Sequence, residues 1–204
     1  MKPRHEGLAR LLAGMIALLA LAGVAAQFIY QLGEGQGTGH VLLSMSRYFT
    51  NVGNTLVMLV FGRMAWAGRA AVSAGVQGLA ACAIALVGVA FAVLLRGLHQ
   101  PHGLQLLSSH LLHDLVPPLA AIWWLALGRR GALTGADPWR WLLLPLAYGL
   151  VAEARGAVEG TYPYFFLNPV KLGWLKVIGW QLALGAGFVA TGYAMVRLDR
   201  LARD

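Results

Sequence analysis

The pattern of apolar and polar positions divides the chain into long hydrophobic stretches separated by short polar breaks. Six stretches reach the roughly 20 mostly apolar residues that a membrane span needs. They cover about Leu8–Tyr30, Val41–Ala65, Ala70–Leu95, Leu106–Leu127, Trp139–Val158 and Leu172–Val196. Each is hydrophobic nearly all round, as a helix facing lipid must be. The breaks GEGQGTG, GRMAWAGR, RGLHQPHG, GRRGALTGADP and EGTYPYFFLNPVKLG are rich in Gly, Pro and charge. There is no internal repeat, no low-complexity tract and no strand-like alternation. The pattern predicts an all-α polytopic membrane protein, residues 1–204 forming one bundle of six transmembrane helices. The start of the chain also resembles a signal peptide, with Lys2 and Arg4 before an apolar core and VAAQ after it. The apolar run from Leu11 to Ile29 is longer than a signal core, which favours a span.

Composition supports this picture. Of 204 residues, 58% are apolar and 12% charged, with a mean hydropathy of +0.64. Soluble domains carry about 25% charge, so a soluble enzyme, a disulfide scaffold and a disordered tail are excluded. The single cysteine, Cys82, lies within an apolar run and reads as a small buried hydrophobe. The net charge of +8 reflects basic cytoplasmic loops rather than nucleic-acid binding. Lys2, Arg4, Arg10, Arg63, Arg69, Arg129, Arg130, Arg140, Arg197, Arg200 and Arg203 fall on one side, and Arg47, Arg96, Arg155, Lys171 and Lys176 on the other. Both termini are therefore expected in the cytoplasm. Trp66, Trp139 and Trp141 mark the inner interface; Tyr30, Tyr162, Tyr164, Phe165, Phe166 and Trp174 mark the outer one.

Polar groups inside a span are costly and so point to function. Span two reads SMSRYFTNVGNTLVML, where Arg47, Thr50, Asn51 and Asn54 fall at i, i+3, i+4 and i+7, one helical face. Interhelical hydrogen bonding by Asn and Thr is the plain alternative. Span four reads LSSHLLHDLVPPLAAIWW, where His110 and Asp114 are spaced to pair. Pro117 and Pro118 lack N–H groups, so the carbonyls of His113 and Asp114 are expected to lose their helical partners and the helix to kink. Two histidines at HxxH spacing are too few for a metal site, and His99 and His102 read as solvated loop residues. In span five Tyr148 and Arg155 are seven apart on one face, with Glu153 pointing elsewhere. Asn168-Pro169 reads as a turn. At ~1.5 Å per residue, Thr50 lies roughly 13 Å and His113 roughly 10 Å from the outer starts of their spans, at similar depth.

A threonine hydroxyl next to a histidine base is an activated nucleophile. Asn51, Asn54 and Arg155, with Tyr148, Arg47, His110 and Asp114, are candidates for stabilising an oxyanion or binding the substrate. An intramembrane acyl hydrolase taking esters from the outer leaflet is one reading. A small-molecule transporter, a haem carrier using His40 with His110 or His113, and a non-catalytic membrane protein are the others.

RYFTNVGN, HLLHDLVPPLAAIWW and LLLPLAYGLVAEARGAVEGTYPYFFLNP, in that order, resemble the androgen-induced-gene-one and androgen-dependent TFPI-regulating protein family and its bacterial integral-membrane homologues. The three blocks cover about half the chain. The resemblance implies a multi-span helical bundle in a bacterial inner membrane, without a cofactor. It implies hydrolysis of fatty acid esters of hydroxy fatty acids, or of another lipid ester in a bacterial member. It makes Thr50 the nucleophile and His113 its partner, with His110 a second, non-catalytic histidine. Bacterial relatives often read FTxxSN in span two; here Gly53 takes the place of the serine.

Overall fold

The structure, a computed structural model, describes residues 3–201, with side chains from Glu6 onward. Lys2 and Arg203, and the side chain of Arg4, counted above among the basic residues, lie outside the described residues. Within them every regular element is helical. The chain forms two compact units, one running to Leu133 and one from Thr134 onward.

The first unit opens with α1 (Pro3–Gly33), then α2 (Thr38–Met45) and α3 (Phe49–Ala67). A 3-10 turn at Arg69–Ala71 leads to α4 (Ala74–Ala90), whose last turn, Phe91–Leu95, widens to a π-helical one. After the loop come α5 (Gly103–Ser109), a π-helical turn at His110–Leu115, and α6 (Val116–Leu127). α1 packs along α3, α5 and α6, and α4 packs on α3 and α6. The second unit holds α7 (Asp137–Glu159), a 3-10 turn at Phe165–Leu167, the single turn α8 (Pro169–Leu172), and α9 (Trp174–Leu201), which packs on α7. Asn168 does start a turn: its Oδ1 accepts from the N–H groups of Val170 and Lys171 and caps α8.

Among the described residues, five helices are long and apolar enough to cross a membrane: Glu6–Gly33, Ala74–Leu95, Gly103–Leu127, Asp137–Glu159 and Trp174–Leu201. Their outer faces are apolar. Leu18 is 65% exposed, Val93 73% and Leu150 70%, an arrangement consistent with lipid as the surrounding solvent. Cys82 is fully buried.

The expected second span differs. It is interrupted at residues 46–48, and its longer part, α3, is made less apolar by Thr50, Asn51, Asn54 and Arg63. The break has a local cause. The Ser46 hydroxyl donates to the Leu43 carbonyl at 2.8 Å, offering the backbone an alternative to the helix ladder. Tyr48 is extended (φ −103°, ψ 125°) and starts α3. Arg47 therefore lies in the break, off the helix that carries the other three polar residues.

At one end of the first unit, polar side chains tie the helices together. Arg69, 8% exposed, pairs with Glu6 at 2.8 Å and donates to the Leu127 carbonyl. Arg10 donates to the carbonyls of Ala65 and Trp66 at 2.9 and 2.6 Å. The Gln77 amide donates to Arg69 and Val72 carbonyls and accepts from the Arg129 N–H. Arginines of α1 and of the connections, with Gln77, thus serve as internal fasteners.

Gly88 lets α4 approach α6. A Cβ there would stand 2.8 Å from the Pro117 Cβ, on a ring that cannot turn away. Gly88→Ala is expected to cost about 1–3 kcal/mol through overpacking, read as a lowered unfolding midpoint in lipid nanodiscs.

Candidate functional site

Two prolines shape the site. The Val116 N–H bonds to the Leu111 carbonyl, five residues back, so the turn before Pro117 is one residue wider than an α-helical turn. The Leu112 carbonyl thereby loses the Val116 N–H, and the residue after that, Pro117, has none to offer. Asn54 supplies the missing donor: its Nδ2 stands 3.3 Å from the Leu112 carbonyl and 2.9 Å from the Thr50 carbonyl. The sequence placed the uncovered carbonyls at His113 and Asp114. The wide turn moves one to Leu112, where α3 covers it.

His113 projects from this turn to α3. Its Nε2 is 3.2 Å from Thr50 Oγ1, and its Nδ1 is 3.0 Å from the Ser109 carbonyl oxygen. A carbonyl only accepts, so Nδ1 carries the proton and donates. In the neutral ring Nε2 then holds the lone pair, and the Thr50 hydroxyl donates to it. Phe91 stacks on the imidazole at 4.0 Å between centroids and 17° between planes, which fixes the ring orientation. Thr50 is buried at 9% exposure. Hydroxyl, imidazole and orienting carbonyl thus stand in the order in which a histidine can activate a hydroxyl.

The asparagines depart from expectation. The Asn51 Nδ2 donates to the Met45 carbonyl at 2.8 Å, closing the end of α2. Asn54 uses both N–H bonds on backbone carbonyls, so it has none left for an oxyanion. In both residues Oδ1 is buried and meets no hydrogen-bond partner among the described residues. A buried acceptor left unpaired costs about 1–3 kcal/mol.

His110 turns away from Thr50. Its Nδ1 is 2.8 Å from Asp114 Oδ2, the pairing their spacing predicts, and the other carboxylate oxygen accepts from Arg96 at 2.5 Å. The Arg96 guanidinium lies 5.0 Å over the Phe91 ring. Arg47 is half-buried in the break before α3. Gly53 serves packing: a Cβ there would be 3.3 Å from Val87 Cγ2 of α4, leaving little room for the serine of the motif.

Tyr148 and Arg155 belong to the second unit. Both lie half-buried on α7, and Arg155 Nε is 3.4 Å from Glu159 Oε1. Glu153 accepts from Gln181 of α9. His40, His99 and His102 are exposed.

Three contributors escaped the sequence reading: Phe91, Arg96 and the Ser109 carbonyl. Phe91 sits in an unbroken apolar run and a main-chain carbonyl has no residue signature. Arg96 did carry a signal, as a lone cation ending one span ahead of the single acid of the next. Set against protein-family models, curated proteins and solved structures, the chain matches none of them.

Proposed function

We propose that the chain is an intramembrane hydrolase of lipid or fatty-acyl esters, with Thr50 as nucleophile and His113 as general base. The observation that carries this reading is the 3.2 Å approach of Thr50 Oγ1 to His113 Nε2, with Nδ1 held by the Ser109 carbonyl. His113 takes the hydroxyl proton as Thr50 attacks the ester carbonyl, then returns it to the leaving alcohol. No cofactor is needed for acyl transfer of this kind, and the substrate enters from the bilayer.

The reading includes six spans in a bacterial inner membrane, both termini cytoplasmic and the site toward the outer leaflet. α3 alone has 19 residues, which at 1.5 Å each is about 28 Å, close to the hydrocarbon thickness. Three of its polar residues, Thr50, Asn51 and Asn54, are buried against the protein, and Arg63 lies exposed in its last turns. Hydropathy therefore understates its suitability as a span. Orientation rests on the 11 to 5 division of Lys and Arg. Single-cysteine labelling tests it: a thiol placed at Thr134 is expected to resist an impermeant reagent in intact cells, and labelling from outside overturns the topology.

The function itself is tested with purified protein in nanodiscs, using a branched fatty acid ester and a fluorophosphonate probe. Hydrolysis and labelling that both require Thr50 support the reading. Protein that hydrolyses no lipid ester and takes no probe overturns it.

A further inference from the structure

A hydrolase inside lipid must bring water to its acyl-enzyme. The carboxamide oxygens of Asn51 and Asn54 point to where that water is held. Both residues are more than nine-tenths buried, and neither Oδ1 meets a donor among the described residues. Their orientation follows from chemistry. The Nδ2 groups face the carbonyls of Met45, Thr50 and Leu112, which only accept, so the open atoms are acceptors. The two residues are three apart on α3 and therefore neighbours on one face, and Asn54 stands one turn beyond Thr50.

We infer, resting on the threonine-hydrolase reading above, that these two oxygens line the binding site for the hydrolytic water, one of them taking the hydrogen that His113 does not. Acylation joins Thr50 Oγ1 to the acyl carbon and expels the alcohol with the proton that His113 carried. In deacylation a water oxygen attacks the acyl carbon. One of its protons passes to His113 Nε2 and then to Thr50 Oγ1 as the Thr50 ester bond breaks, and the carboxylic acid departs. Water has a second hydrogen to donate to an asparagine oxygen. A monohydric alcohol has a single hydroxyl hydrogen, which His113 requires, so the alcohol leaves the buried acceptor unpaired. A site built to pair a hydrogen rejects an analogue that lacks it by roughly 10⁴–10⁵-fold when the pairing is complete. The site therefore selects water over lipid alcohols and directs the acyl group to hydrolysis rather than transfer.

The test is competition between water and methanol for the acyl group of p-nitrophenyl palmitate, with full-length protein in phospholipid nanodiscs. Wild type is expected to release palmitic acid far in excess of the methanol-to-water ratio. Asn51→Leu and Asn54→Leu are expected to raise the ratio of methyl palmitate to palmitic acid about tenfold or more, and to accumulate palmitoyl-Thr50 by intact mass. Wild type that forms the methyl ester in proportion to methanol, or folded variants with the wild-type ratio, overturn this inference and leave the hydrolase reading standing. The wild-type measurement needs no variant to fold. Wild type that releases no nitrophenol and carries no acyl group overturns the hydrolase reading and this inference with it.

Discussion

Thr50→Ala is expected to lower hydrolysis of a lipid ester by roughly 10³-fold or more, the scale set by removing the nucleophile of a hydroxyl–imidazole pair. That corresponds to about 4 kcal/mol of lost transition-state stabilisation. The fold is expected to survive, because Thr50 is small and its hydroxyl bonds only to His113 among the contacts that position the site. Thr50→Val, which keeps the volume, should be as inactive as the alanine variant, whereas Thr50→Ser keeps a hydroxyl and should retain measurable turnover. His113→Ala is expected to match the threonine variants, since residues acting as one unit are not additive. Turnover measured in nanodiscs, beside circular dichroism to confirm helicity, decides this. Unchanged turnover in Thr50→Ala assigns the nucleophile elsewhere.

The second large effect falls on stability at Asn54. This side chain is fully buried and gives both N–H bonds to carbonyls, that of Thr50 itself and that of Leu112, the residue before His113. Asn54→Leu keeps the approximate volume and leaves the Leu112 carbonyl uncovered, a loss of about 1–3 kcal/mol. Asn54→Asp is expected to be worse, at about 3–5 kcal/mol, because it sets an uncompensated buried charge against two acceptors. Unfolding midpoints in one detergent should rank wild type above the leucine variant and that above the aspartate variant. An aspartate variant as stable as wild type removes the assigned role of the amide.

These two residues also show how far the sequence reaches. The apolar runs alone point to long helices of membrane-spanning length, because a backbone in lipid must satisfy its hydrogen bonds within each helix. They also single out Thr50, Asn51, Asn54, His110, His113 and Asp114, since polar side chains in such runs are costly enough to stand out. The spacing of His110 and Asp114 already implies their pairing, which depends on one helix only. The limits appear where two segments meet. Arg47 reads as part of the polar stripe, yet the backbone breaks beside it, because the Ser46 hydroxyl and the Asn51 amide give the Leu43 and Met45 carbonyls other partners. The prolines announce a disturbed helix, but not that a widened turn places the uncovered carbonyl at Leu112. The polarity of the asparagines is likewise beyond the sequence: a carboxamide both donates and accepts, and only the carbonyls packed against it decide which end stays open. The tautomer of His113 is fixed in the same way, by a Ser109 carbonyl and a Phe91 ring that carry no sequence mark. Composition and periodicity determine what lies in the membrane and which groups are out of place there. Direction, meaning which atom donates and to whom, belongs to the tertiary structure, because a hydrogen bond is set by the neighbour across the interface and not by the residue alone.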